Sequence, residues 1–133
     1  MKRTIVLAAV AAMCASAPAA TQERQLSEGQ VSLYAEMWAL AGVCLQYGGY
    51  EVEQAGLAEF LNDRLDGVGI SDREQVAMLK QDRLEEIRAE IDRLEGLPRG
   101  SRRAREVEEN AARLMTRCTR LANHEAAGDF FRR

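Results

Sequence analysis

Apolar residues recur every three or four positions through four stretches of this chain, and glycine or proline stands between each stretch and the next. That period is the signature of amphipathic helices, and it predicts four of them, over about 28–47, 51–66, 72–95 and 102–126. The first has a sharp start. Ser27 and Gln30, three residues on, form a capping box, and Leu26 and Val31 are placed for a hydrophobic staple, while 20–26 reads as a frayed polar lead-in. Leu33, Tyr34, Met37, Trp38, Leu40, Ala41, Cys44 and Leu45 then cover roughly half the helix circumference at 100° per residue, which predicts a central helix with neighbours on two sides. Leu40, Met37 and Leu33 are expected in the core. Glu36 and Gln46 point away from that face and are expected to tolerate Ala within about half a kcal/mol.

Gly48-Gly49 stops this helix. In the second, Leu57, Phe60, Leu61, Leu65 and then Val68 share a face, and Gly67 suits the left-handed position after it. Ser71 with Glu74 reads as another capping box, opening a third helix whose narrow seam is Ala77, Lys80, Leu84, Ile87, Ile91 and Leu94. Gly96 and Pro98 end it. Val107, Ala111, Leu114, Cys118 and Leu121, widened by Met115 and Ala122, form a matching seam on the fourth. The last two helices thus read as an antiparallel hairpin. In the tail, Phe130 and Phe131 are expected to close the bottom of the core. The fold class is all-α, four helices.

The beginning of the chain alters where this bundle works. Met1-Lys2-Arg3, the apolar run Ile5–Met13 and the small-x-small ending Ala17-Pro18-Ala19 make 1–19 a secretory signal peptide, leaving 20–133 as one helical domain. A lipoprotein signal would instead modify Cys14. It requires a small residue just before the cysteine, where Met13 stands, and normally Leu two positions earlier, where Ala11 stands, so Cys14 is expected to leave with the leader. Nothing later approaches the ~18 apolar residues of a membrane span. A periplasmic or secreted location follows.

Export changes the meaning of the two cysteines that survive, Cys44 and Cys118. An even pair in an oxidising compartment is bridged more often than free. Two thiols without clustered histidines cannot complete a tetrahedral metal site, and Cys-x-x-Cys is absent. Each cysteine lies on an apolar face late in its helix, so a disulfide would tie the first helix to the last.

The about 113 remaining residues suffice for one core. Their net charge is −5, unevenly spread: −6 over 21–66, −3 over 67–97 and +4 over 98–133. Arg99, Arg102, Arg103 and Arg105 crowd the start of the fourth helix, where the dipole is already positive. Either Glu106, Glu108 and Glu109 and acids of the other helices neutralise them, or they form a docking patch for an acidic partner. Trp38 and Tyr50 join them as candidate partner-binding residues, because an exposed aromatic beside a core usually marks a contact surface. Nucleic acid is an improbable partner for an exported, acidic chain without a binding motif.

Catalytic chemistry finds little support. His124 is the sole histidine, and its spacing to Glu125 or Asp129 is not diagnostic. Neighbouring carboxylates such as Glu85-Glu86 diverge on a helix. No phosphate loop, nucleophile elbow or zinc motif is present, so no cofactor and no metal is expected.

The order of leader, helix with Cys44, Gly69-Ile70-Ser71-Asp72 opening a charged helix, Cys118 and a Gly-x-Phe-Phe-Arg end (128–132) resembles a family of small uncharacterised exported helical proteins of alphaproteobacteria with two cysteines. The resemblance implies export and a disulfide, and it carries no activity. The expected function is non-enzymatic binding, as an accessory or chaperone-like partner of another cell-envelope protein. An inhibitor or immunity protein against a secreted enzyme is the alternative, and a small hydrolase-like enzyme the rival from another class.

Overall fold

The computed structural model describes residues 22–133, so the expected leader, its expected cleavage site and Cys14 lie outside the described residues. Four helices make up most of it: α1 (Glu28–Tyr47), α2 (Gln54–Leu65), α3 (Ile70–Glu95) and α4 (Ser101–Ala122). Two short strands, β1 (Glu51–Val52) and β2 (Phe131–Arg132), pair antiparallel with Val52 opposite Phe131. The helical architecture and its order along the chain are those the apolar period predicts. The strands are not; a two-residue strand carries no period.

α1 is the centre. Ser27 Oγ accepts from the Gln30 N–H while Gln30 Oε1 accepts from the Ser27 N–H, closing the expected capping box. Tyr34, Ala35, Met37, Leu40 and Cys44 are all buried, a face too wide for one neighbour. α3 covers one side of it, α4 a second, and α2 lies across its later turns. Met37 and Leu40 are fully buried, whereas Leu33 is only partly so. Leu40→Ala is therefore expected to cost about 2–5 kcal/mol, against less than about half for Gln46→Ala at the exposed side. Urea unfolding of the two variants checks this, and equal losses would contradict the placement of α1.

The segment before α1 is pinned rather than frayed. The Arg24 N–H donates to the Gly67 carbonyl and the Gly69 N–H to the Arg24 carbonyl, a single parallel bridge. The Arg24 guanidinium reaches the carbonyls of Arg64 and Asp66 at the end of α2, where a cation meets the negative end of the dipole. Asp72 Oδ2 accepts from the Leu26 N–H at 2.8 Å. The starts of α1 and α3 are thereby tied at one end of the molecule.

That tie also displaces the expected start of α3. The helix begins at Ile70 after Gly69, without a side-chain cap, so the Ser71–Glu74 box does not form. Its buried line is Val76, Ile87 and Leu94, with Ala77 exposed. The other expected seam positions, Lys80, Leu84 and Ile91, are partly buried, so the seam departs from expectation only in its first turn. α3 packs mainly on α1 rather than on α4. Lys80, an odd member of an apolar seam, lays its ammonium 4.0 Å from the centre of the Trp38 ring. Gly67 does take the left-handed conformation after α2, with φ of +69°.

Helix α2 starts three residues later than expected, because Glu51 and Val52 pair with the C-terminus. α4 ends at Ala122, four residues early. Beyond it the chain doubles back so tightly that a Cβ at Gly128 would lie 2.7 Å from the Ala122 carbonyl oxygen. This reversal delivers Phe131 into the core, while Phe130 packs on Phe60 with ring centres 5.0 Å apart. Both phenylalanines thus close the core. Cys44 and Cys118 form a disulfide with Cα atoms 5.7 Å apart and join the first helix to the last.

Candidate partner-binding surface

The hairpin of α3 and α4 carries the arginines at its tip, and its two faces differ. One face is braced by ions. Arg93 donates to Glu90 within α3 and to Glu106 on α4, both at 2.8 Å, and Arg102 donates to Glu106 at 2.9 Å. Arg113 adds a 3.4 Å contact to Glu90. Hydrogen bonds from Arg93 hold the carboxyls of Glu90 and Glu106 below their ordinary range, with Arg102 adding to the effect at Glu106. The Arg93 guanidinium is held above its own ordinary value by the same two carboxylates. All three groups meet water, so the brace is geometric more than energetic.

The opposite face, the one α1 occupies, holds a groove of about 310 Å³ between the last turn of α1 and the two hairpin helices. Ile91, Leu94 and Leu114 lie deepest, with Tyr47, Val107 and Ala111 nearer solvent. Tyr47 is 54 % and Val107 45 % exposed. Past Tyr47 the chain leaves this face: Gly48-Gly49 turns it back, and the Tyr50 hydroxyl bonds Thr119 in the last turn of α4 at 2.7 Å. Among the described residues, nothing then covers the groove. Glu95 stands on its α3 rim and Arg103 on its α4 rim.

The candidate residues divide between these surroundings. Arg102 is committed to Glu106, a neutralisation from within α4 itself. Arg103 donates to the Leu97 carbonyl at 3.3 Å and, like Arg99 and Arg105, forms no ion pair among the described residues. Among the described residues no acid of α1, α2 or α3 pairs with the cluster; α3 meets it only through Arg93, which shares Glu106 of α4 with Arg102. Tyr50 is 3 % exposed and is removed from the candidates as a contact residue; its place is in the core beside the disulfide. Trp38 is 40 % exposed, but it lines a separate groove with Ala41, Leu57 and Leu61, away from the arginines.

Sequence reasoning placed Val107 in a buried seam, so it was missed as a surface residue. The spacing that marks a residue as seam-facing is blind to where the covering helix ends. It also misplaced Glu36. That carboxylate accepts from Arg117 at 2.7 and 2.9 Å and pairs with Arg83 at 3.2 Å, in a partly buried site joining α1, α3 and α4. The bidentate bond raises the Arg117 guanidinium above its ordinary value. Glu36→Ala is expected to cost about 2 kcal/mol, not half of one, since two half-buried arginines lose their acceptor. A double-mutant cycle with Arg117→Ala, read by urea unfolding, checks the coupling; additive losses would contradict it.

His124 lies on a shallow groove with Ser32, Glu36, Arg83 and Arg120. The groups there are already engaged. Ser32 Oγ accepts from Arg83, Glu36 accepts from both arginines, and His124 Nδ1 accepts from the Ala126 N–H at 3.0 Å. No base is aimed at the serine. Among the described residues no group of three His, Cys, Asp or Glu side chains could hold a metal ion, and no helix is long and apolar enough to cross a membrane. In comparisons with family models, curated proteins and solved structures, nothing matches this chain.

Proposed function

We propose that the protein is exported and acts without catalysis, as an accessory or chaperone-like binding partner of another cell-envelope protein, with the α3–α4 tip as its docking end. One observation carries this reading: an uncovered apolar groove has Arg103 on its rim, and neither Arg103 nor its neighbours Arg99 and Arg105 pair with an acid among the described residues. Apolar anchors rimmed by charged and polar residues are the usual anatomy of a protein contact. The buried disulfide supports an oxidising compartment, and the leader read from Met1–Ala19 supports export.

Arg102 is a poor probe, because reversing it breaks the bond to Glu106. Arg99 and Arg105 are the clean ones. The double reversal Arg99→Glu/Arg105→Glu is expected to leave the melting temperature unchanged and to weaken capture of a specific envelope protein from extracts, and wild-type capture should fall as salt rises. Undiminished recovery with the reversed bait, at low and high salt alike, would exclude the tip as the docking end.

A further inference from the structure

We infer that the tip groove takes an amphipathic helix of a different protein, seated with its apolar face between α3 and α4 and its acidic flank along the α4 rim. The inference rests on the binding function proposed above and specifies the partner's chemistry. The groove's walls are two antiparallel helices, and the channel between such ridges is shaped for a third helix. α1 already fills the same face of the hairpin in that manner, up to Tyr47 in its last turn. The apolar floor of Ile91, Leu94 and Leu114 calls for side chains spaced at i, i+3, i+4 and i+7.

The two rims set the polarity of the guest. On the α4 side Arg103 faces the groove with no ion-pair partner among the described residues, and Arg99 precedes it in the turn. On the α3 side stands Glu95. An acidic flank on the guest meets Arg103 when it runs along α4, and the reverse orientation sets it against Glu95. Charge thus fixes direction as well as affinity.

A second copy of this chain fits poorly. Two hairpin tips opposed about a twofold, with their bodies at opposite ends, place α3 over α3 and α4 over α4. Glu95 then meets Glu95 and Arg103 meets Arg103. Turning one copy to oppose α3 with α4 brings both bodies to the same side, where the two α1 helices collide. A flat lipid surface cannot reach the recessed Ile91 and Leu94.

The test uses the oxidised mature protein and labelled amphipathic peptides of about four helical turns, read by fluorescence anisotropy. One carries leucines at the groove spacing with glutamates on one flank; a second has lysines in place of the glutamates; a third has serines in place of the leucines. The acidic leucine peptide is expected to bind, the lysine peptide about tenfold or more weakly, and the serine peptide not at all. Val107→Asp should abolish binding with the melting temperature retained. Arg103→Glu should invert the charge preference, which a loss of packing alone could not do.

Charge-blind binding, undiminished binding to Val107→Asp, or no binding of any peptide would overturn the inference. So would a concentration-dependent dimer, or adsorption to phosphatidylglycerol vesicles, that Val107→Asp removes in the absence of peptide. Peptides that fail while the Arg99→Glu/Arg105→Glu bait still loses its partner would reject the helical guest and leave the docking end standing. Failure of both would reject the tip as a docking end of any kind.

Discussion

Replacing Cys44 and Cys118 together by alanine is expected to lower the stability of the helical domain by about 4 kcal/mol. The two residues are 74 positions apart, and the bond between them closes the chain from the end of α1 to the end of α4 into a loop. Breaking it returns that loop's freedom to the unfolded chain, and both sulfurs are fully buried, so nothing in solvent compensates. Against a total stability of about 5–15 kcal/mol, the loss is a large share. Urea unfolding of the double variant, and of the wild type with and without reductant, measures it. The two routes should agree. A loss below about 1 kcal/mol by either would show that α1 and α4 hold together by packing alone.

Phe131→Ala is expected to cost about 3–5 kcal/mol, although it lies two residues from the C-terminus. Terminal residues are ordinarily tolerant of change. Here Phe131 is 1 % exposed and is the largest of the fully buried side chains, opposite Val52 in the only paired strands among the described residues. The half-buried Phe130 should cost less on truncation, since it loses one tilted contact with Phe60 and keeps water on its other side. Arg132→Ala, exposed on β2, should change stability by no more than about half a kcal/mol. Thermal and urea unfolding of the three variants would rank them in that order. A Phe131→Ala variant as stable as Arg132→Ala would mean that the tail closes nothing.

The contrast between these two predictions reflects what each rests on. The disulfide was legible from the chain: each cysteine fell on an apolar helical face, and the leader expected from the sequence implied an oxidising compartment for both. The role of Phe131 was legible only as one of two outcomes for an aromatic tail. What decided it was the reversal after Ala122, where Gly128 allows a close backbone approach and the strand pair with Glu51 and Val52 fixes the register. The same pairing explains why α2 starts at Gln54. A two-residue pairing between segments some eighty positions apart leaves no local pattern.

Glu36 shows the limit from the polar side. On the wheel of α1 it lies outside the apolar face, and a lone acidic residue there reads as solvated. Arg83 and Arg117 approach from two other helices and convert it into the hub of a partly buried ion cluster. At the tip the limit runs the other way. Val107 has the spacing of a core residue, yet α1 has turned away before reaching it. Periodicity records which side of a helix is apolar; it does not record which turns have a neighbour.

By itself, then, the sequence determined most of what depends on residues close together in the chain, the Ser71–Glu74 box that does not form being an exception. It set the four helices by their period, the start of α1 by Ser27 and Gln30, the stops at Gly48 and Gly96, and the left-handed turn at Gly67. Hydrogen bonds and backbone preferences there are satisfied within a few residues. Tertiary structure alone decided which face of α3 meets α1, where Arg24, Glu36 and Phe131 find their partners, and which arginines remain without one. Those outcomes depend on the relative rotation and length of packed helices, where a shift of one residue turns a side chain by 100°.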